Sequence, residues 1–187
     1  MKKRIFTTLF AFTLVVGATL AQEKTVKTDV STVTWKGYKV TGSHEGTVNL
    51  KNGTLKFDGD KLVGGSFTVD MTSLTATDLE GEYQQKLNGH LKSDDFFGVS
   101  NHPTATLTID NAEATGKNSY SVKGDITIKG TTEPINFDLS VYGSKATATL
   151  KLDRTKFGLK YGSGSFFDNL GDKTIYDEFD LVVDLQF

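Results

Sequence analysis

The feature that most constrains the fold is a two-residue alternation of apolar side chains that runs through most of the chain. In the last segment the apolar side chains fall at every second position: Phe179, Leu181, Val183, Leu185 and Phe187. Successive side chains of a strand point to opposite faces, so this period predicts strands with one apolar face rather than helices. Nineteen glycines and only two prolines favour strands that are joined by tight turns. The chain is therefore predicted to be all-β.

Four earlier segments share this period and are separated by turns that contain glycine. Their apolar positions are Ala105, Leu107 and Ile109; Tyr120, Val122, Ile126 and Ile128; Ile135, Phe137, Leu139 and Val141; and Ala146, Ala148, Leu150 and Leu152. The intervening turns fall at hairpin spacing and are Gly116-Lys117-Asn118, Lys129-Gly130-Thr131 and Tyr142-Gly143-Ser144. This half of the chain therefore predicts consecutive antiparallel strands.

Three more strands are predicted in the N-terminal half, around Trp35, from Val48 to Phe57 and from Leu62 to Met71. Residues 22–29 are polar and are predicted to be a flexible lead-in, and residues 41–46 a loop or bulge. The total is about eight antiparallel strands in one domain. Sequential hairpins of long strands favour a closed up-and-down barrel over a sandwich, and an eight-stranded barrel can hold one small ligand.

The period changes once, between the strand that ends at Met71 and the strand that contains Leu107. Apolar residues then recur every four positions, at Leu79, Tyr83, Leu87 and Leu91, which predicts one α-helix at about 78–91. Thr77 and Glu80 have the spacing of a capping box. Gly81 and Gly89 weaken this helix by about 1 kcal/mol each, so we expect it to persist only by laying its Leu/Tyr face on the sheet.

Residues 1–21 have the pattern of a secretory signal peptide. Lys2, Lys3 and Arg4 precede an apolar run from Ile5 to Val16, and small residues lead up to Ala21. The apolar run is shorter than the roughly 20 residues that a membrane-spanning helix needs, so a retained anchor is not expected. We therefore predict export to the periplasm, with residues 22–187 as a single domain.

Charge and residue usage exclude several classes of function. Of the 21 Lys and Arg residues three lie in the signal peptide, which leaves 18 against 23 Asp and Glu residues, a net charge of −5. A chain this acidic is not expected to bind nucleic acid. The absence of cysteine excludes a disulfide scaffold and thiol chemistry. No segment resembles G-x-S-x-G, H-E-x-x-H or a phosphate-binding loop, so we predict neither enzymatic activity nor a cofactor.

The alternation alone does not say whether the apolar face points into the barrel or away from it. An inward apolar face gives a soluble barrel, and an outward one gives an outer-membrane barrel with a polar lumen. The signal peptide and the C-terminal Phe187 fit the outward interpretation, whereas the inserted helix and the lack of aromatic girdles favour the inward one. A structural barrel without a specific lipid ligand is the third interpretation.

The segment at the end of the predicted helix resembles a known family. Gly89-His90-Leu91-Lys92-Ser93-Asp94-Asp95-Phe96-Phe97, followed by Asn101-His102-Pro103-Thr104, is similar to the "HL(+)S.DFF....P" segment of the YceI-like polyisoprenoid-binding family. Residues 42–48, 65–71, 122–134 and 153–158 are similar to four further segments of that family, in the same order. The resemblance covers essentially the whole chain after the signal peptide.

This resemblance implies an eight-stranded antiparallel lipocalin-like barrel with an isoprenoid or fatty-acid-like lipid in its apolar interior. A carrier or sequestering protein is the function it implies, and it allows a homodimer. The inward positions proposed to line the ligand site are Val69, Met71, Leu107, Ile109, Ile126, Phe137, Leu139, Leu150 and Leu181, with Phe96, Phe97, Phe157 and Tyr161 near a mouth. Ordinary core packing is the alternative role for each of them.

The three histidines are candidates for polar contacts rather than for metal binding. His44, His90 and His102 lack the i,i+4 or H-x-H spacing of a metal site, and no cysteine assists them. We expect His44 and His90 either to hydrogen-bond the helix and the first loop to the barrel or to contact a lipid head group. His102 fits the family resemblance less well and is ranked below them.

Overall fold

The structure is a computed structural model that describes residues 21–187. Within these residues the chain forms nine strands and one α-helix. Their bounds are β1 (Gln22–Thr25), β2 (Thr32–Lys39), β3 (Gly42–Asp58), β4 (Lys61–Ala76), α1 (Gly81–Lys92), β5 (Thr104–Ala114), β6 (Ser119–Ile128), β7 (Thr131–Tyr142), β8 (Lys145–Asp153) and β9 (Ile175–Gln186). Apart from Ala21, the predicted signal peptide at 1–21 lies outside the described residues, so export stays a prediction.

Strands β2 to β9 close into an antiparallel barrel of eight strands. The order around the ring is β3-β2-β9-β8-β7-β6-β5-β4, and β4 pairs back onto β3. The pairing of β2 with β9 brings the first and the last strand of the barrel together. The predicted eight-stranded antiparallel barrel with one inserted helix is therefore confirmed.

The pairing register places the apolar positions of neighbouring strands in continuous rows. Leu181 of β9 pairs with Leu150 of β8 on one side and with Trp35 of β2 on the other. Leu107 of β5 pairs with Phe67 of β4 and with Ile126 of β6. Because every strand contributes its apolar alternate to the interior, the face that the sequence marked as apolar is the inner face of the barrel.

Two N-terminal segments form strands where the sequence suggested irregular structure. Residues 22–25, predicted as a flexible lead-in, form β1 and pair with residues 54–57 of β3. Residues 42–46, predicted as a loop or bulge, are the first part of β3 and pair with β2. Gly46 interrupts the apolar pattern for a steric reason, since a Cβ there would lie 1.9 Å from the main-chain oxygen of Thr75. The glycine marks a close approach of two strands rather than a loop.

The helix begins at Gly81, three residues later than predicted, and contacts the sheet differently. Glu80 precedes it and makes no side-chain cap, so the predicted capping box does not form. Tyr83 was expected on the packed face but is 74% exposed, and Leu91 is the buried residue of the helix. The leucine part of the predicted face is confirmed, because Leu87 also packs against the core. Polar contacts add to it, since Asn88 Oδ1 accepts a 2.8 Å hydrogen bond from the amide of Ala76 at the end of β4.

The two ends of the barrel differ. One end is filled by side chains that are fully buried, among them Leu55, Leu62 and Val122. The helix and the long segments 93–103 and 154–174 lie at the other end. Within the described part of the chain, no helix combines the length and the apolar character needed to cross a membrane.

Candidate functional site

A cavity of about 180 Å³ lies inside the barrel, between the filled end and the end that carries the helix. Its wall includes eleven of the thirteen apolar residues that the sequence proposed as a ligand site: Val69, Met71, Phe96, Phe97, Leu107, Ile109, Ile126, Phe137, Leu139, Leu150 and Leu181. They come from six strands and from the segment after the helix. The fold therefore brings residues that are far apart in the sequence onto one continuous apolar surface.

The other two proposed residues lie off this wall. Phe157 follows β8 in a 3₁₀ turn and is 3% exposed within the hydrophobic core. Tyr161 is 48% exposed, and its ring centroid lies 4.5 Å from that of His90, at the outer surface of the helix end. Both residues are predicted to lie near a mouth, but the structure packs Phe157 in the core and leaves Tyr161 off the cavity wall.

Strand β2 supplies wall residues that the sequence reasoning missed. Val33, Trp35 and Gly37 share its inner face, and all three line the cavity. Trp35 is the only tryptophan of the chain. A Cβ built on Gly37 would meet nothing within 4 Å, so this position borders open space. The signal in the sequence that assigns these residues to the wall is their two-residue spacing along β2.

Two adjacent aromatic residues cover part of the barrel end that carries the helix, which we call the open end. The rings of Phe96 and Phe97 pack edge to face, with centroids 5.1 Å apart. The turn after the helix holds them there, because the amide of Phe97 donates to the main-chain oxygen of Leu91 at 3.0 Å. Both rings and Leu91 line the cavity. This end is therefore covered by packed side chains rather than by a continuation of the sheet.

One charged residue, Arg154, lies on the cavity wall and is 2% exposed. Its guanidinium donates to the main-chain oxygens of Leu159 at 2.6 Å, Ile175 at 2.9 Å and Tyr176 at 3.0 Å. Its Nη2 also lies 3.4 Å from Asp177 Oδ1. Burial lowers the pKa of Arg154, and the nearby carboxylates of Asp177 and Asp153 oppose this shift. The sequence signal was present but unused, since Arg154 is the only arginine in residues 21–187.

The carboxylate of Asp177 links Arg154 to the aromatic loop between β8 and β9. Burial acts to raise the pKa of Asp177, but hydrogen bonds from Ser163 and Ser165 together with Arg154 outweigh it and lower the pKa. Ser165 Oγ donates to Asp177 Oδ2 at 2.6 Å. An ionised Asp177 therefore ties the loop to the wall at the open end.

His44 forms a structural contact. Its Nδ1 lies 2.8 Å from Asp78 Oδ2, which joins β3 to the segment before the helix. Burial acts to raise the pKa of Asp78, yet the hydrogen bonds from His44 and from the main chain outweigh burial, so that the pKa is lowered. This geometry agrees with the hydrogen-bonding role that was one of the two proposed for His44.

His90 packs among aromatic rings at the open end, edge-on to Phe96 and Tyr161. Its Nε2 is buried without a hydrogen-bond partner in the described structure. His102 contributes its amide to a 2.9 Å bond with the oxygen of Gly98. Among residues 21–187 no group of three His, Cys, Asp or Glu side chains is placed to hold a metal ion.

Comparison with known proteins identifies relatives over the full length of the barrel. A family model described as a YceI-like domain matches residues 24–187. A UPF0312 protein of Pseudomonas putida strain F1 is 27% identical over 180 residues, which cover 86% of this chain and 89% of the relative. The match to a UPF0312 protein of Azotobacter vinelandii, also 27% identical, spans only 48% of this chain and 45% of that relative.

Solved structures show the same fold. The crystal structure of Burkholderia cenocepacia BcnA is 23% identical, with a TM-score of 0.69 over 86% of this chain and 98% of that chain. A polyisoprenoid binding domain from Saccharophagus degradans is 14% identical, with a TM-score of 0.57 over 87% of this chain and 97% of that chain. At these identities the likeness concerns the fold alone.

Proposed function

The chain belongs to the YceI-like domain family, and we propose that it binds a long-chain amphiphilic lipid, a polyisoprenoid or a similar chain, inside its barrel. The observation that carries the proposal is the cavity, which is enclosed by apolar side chains contributed from all sides of the barrel. The described function of the Saccharophagus degradans domain as polyisoprenoid-binding supports the choice of ligand class. Carriage or sequestration of the lipid in the periplasm is the role we assign to it.

The physical reason is the hydrophobic effect. An isoprenoid tail exposes apolar surface to water, and each hundred Å² that the cavity removes from water contributes about 2.5 kcal/mol. The wall offers almost no hydrogen bonds in return for those of water, so a polar molecule would lose more than it gains there. The cavity is therefore suited to a hydrocarbon chain and not to a sugar or a nucleotide.

Binding rather than catalysis is the activity that the wall supports. Its ionisable side chains in the described structure are those of Tyr38, Tyr176 and Arg154, and the guanidinium is already bonded to main-chain oxygens. A nucleophile activated by a neighbouring base, which acyl or phosphoryl transfer needs, is not formed by these groups. We therefore propose a binding protein without a cofactor. A homodimer is compatible with this role.

Native mass spectrometry of the exported protein, purified without detergent, tests the proposal. We expect a co-purifying lipid whose mass includes a long hydrocarbon chain. Phe137→Asp places a carboxylate on the cavity wall and should abolish lipid retention. Asn136→Asp is the matched control. Asn136 is the residue before Phe137, its side chain is exposed on the outer face of the barrel, and it lies opposite Lys123 of β6. A protein that is always free of ligand, and that binds no added prenol, would support a structural barrel instead.

A further inference from the structure

The barrel wall has a built-in break between β2 and β9. Gly37 pairs with Phe179, but the next pair in the ladder joins Lys39 to Ile175. Tyr38 therefore lies alone opposite Tyr176, Asp177 and Glu178. Such a bulge bends one strand away from its partner and interrupts the ladder of hydrogen bonds.

Arg154 holds the bulged strand from inside the barrel. The main-chain oxygens of Ile175 and Tyr176 accept hydrogen bonds from its Nη2 and Nε. Asp177, the middle residue of the bulge, accepts a hydrogen bond from Nη2 through its carboxylate. Carbonyl groups that are withdrawn from water need a partner, and for these partly buried ones a side chain supplies it in place of the neighbouring strand. The break is thus stabilised by the only arginine of the described chain.

Two residues of the break border both the interior and the surface. Tyr38 and Tyr176 line the apolar cavity, and the same two residues line a hollow on the outer surface together with Lys151, Asp177 and Glu178. Gly37, immediately before Tyr38, adds no side chain to the wall at this place. The cavity and the polar surface hollow are therefore adjacent at this position, with Tyr38 and Tyr176 between them.

We propose that this break is a lateral opening at which the polar end of the ligand lies. The inference rests on the proposed lipid-binding function and adds the orientation and head-group class of the ligand. The tail occupies the cavity, and an uncharged head group that carries a hydroxyl or carbonyl oxygen reaches the surface hollow between Tyr38 and Tyr176. Arg154 is the polar group of the wall at this position.

The chemistry of the opening favours an uncharged head group over a phosphorylated one. Four of the five N–H groups of Arg154 already bond to Leu159, Ile175, Tyr176 and Asp177. One N–H remains for a ligand oxygen, which suits a single hydroxyl or carbonyl. Both cations that the described structure places near the hollow already have a carboxylate partner, since Arg154 pairs with Asp177 at 3.4 Å and Lys151 with Glu178 at 3.6 Å, so no unpaired cation is left there for a diphosphate.

Site-specific labelling tests the position of the opening, because the chain contains no cysteine. Tyr176→Cys places a thiol at the opening, Tyr83→Cys on the exposed helix surface, and Tyr142→Cys at the turn of the filled end. Each variant is delipidated and coupled to a maleimide-linked polyethylene glycol. The uptake of geranylgeraniol is then followed through the emission of Trp35, with each unlabelled variant as its own reference.

Labelling at position 176 should slow uptake at least about tenfold, whereas labels at 83 and 142 should leave the rate unchanged. Equal slowing by the label at position 83, or no slowing by any label, would overturn the lateral opening. If the unmodified protein takes up no prenol at all, the proposed function fails, and this outcome is distinct from the others.

The head-group class has its own measurement. Geranylgeraniol and geranylgeranyl diphosphate share a tail, so their affinities compare the head groups directly. We expect the alcohol to bind at least about tenfold more tightly than the diphosphate. Tighter binding of the diphosphate would overturn the uncharged head group.

Discussion

The Nε atom of Arg154 donates a hydrogen bond of 3.0 Å to the main-chain oxygen of Tyr176. Arg154 follows directly after β8, and Tyr176 belongs to β9, so this bond fixes the strand that closes the barrel against its neighbour. Both residues line the cavity. The side chain of Arg154 therefore both holds β9 in place at the open end and provides a charged group on the cavity wall there.

Replacement of this side chain should destabilise the fold strongly. Arg154→Leu leaves one buried and two partly buried carbonyl oxygens and the carboxylate of Asp177 without their donor, and we expect a loss of about 3 kcal/mol in the free energy of unfolding. Urea denaturation followed by Trp35 emission measures it. Lys86→Ala, which removes the exposed 2.7 Å ion pair with Glu82, is the control and should cost less than about 0.5 kcal/mol. Equal losses for both variants would contradict this account.

A glycine at a close strand approach should not tolerate a methyl group. A Cβ on Gly124 of β6 would lie 1.9 Å from the main-chain oxygen of Thr108, so Gly124→Ala must push β5 and β6 apart. We expect a destabilisation of about 2 kcal/mol or more. Gly37→Ala is the matched control, because its Cβ meets only open space and alanine costs less conformational entropy than glycine. Thermal unfolding should show a lowered midpoint for the first variant alone.

A large side chain at Gly37 should block the ligand without unfolding the barrel. Gly37→Phe directs its ring into a cavity of about 180 Å³, next to the proposed opening. We expect the affinity for geranylgeraniol to fall at least about tenfold while the melting temperature is kept or raised. Calorimetric titration of the delipidated protein measures the affinity. Unchanged affinity in a folded Gly37→Phe variant would show that the ligand does not use this part of the cavity.

The hydrogen bond between Tyr38 and Asp180 should stabilise the fold only within a window of pH. Tyr38 Oη donates to Asp180 Oδ2 at 2.6 Å, and this bond lowers the pKa of Asp180 and raises the pKa of Tyr38. Its contribution is complete between about pH 4 and 10, the unfolded pKa values of the two groups. It is lost as the pH falls through the lowered pKa of Asp180 or rises through the raised pKa of Tyr38.

Tyr38→Phe measures this contribution across pH. The variant should have a lower urea midpoint than the parent protein near neutral pH, and the difference should shrink in acid and in strong alkali. A difference that stays constant over the whole range would mean that the hydroxyl acts by packing alone.

The inner face of the barrel follows from local sequence, whereas the helix contacts do not. Phe137 and Leu139 alternate in a strand whose period alone places them on one side, and the closed sheet makes that side the inside. Tyr83 matches the helical period equally well, but the helix docks through Asn88 and Gln84 onto the end of β4. Hydrogen bonds from single side-chain amides do not recur at a regular spacing, so the apolar pattern of the sequence does not predict them.

Arg154, the charged residue of the candidate site, could not be predicted from the sequence for a related reason. Arg154 donates to the main-chain oxygens of Ile175 and Tyr176. Every residue type has such an oxygen, so the identity of the partner residues gives no signal in the sequence. Its partners are set by the bulge in β9, and the bulge arises from a pairing with β2 that spans most of the chain. The presence of one arginine in residues 21–187 is the available clue in the sequence, and its role becomes clear only from the tertiary structure.

The pairing of β2 with β9 also constrains how the protein is made. During synthesis the N-terminal strands emerge first, and the edge of β2 that pairs with β9 stays unpaired until this 12-residue strand has been made. Pairing between distant segments is slow because the intervening chain must first be ordered. The closed cavity therefore does not exist in any nascent intermediate, and the proposed lipid would enter only after β9 has paired with β2.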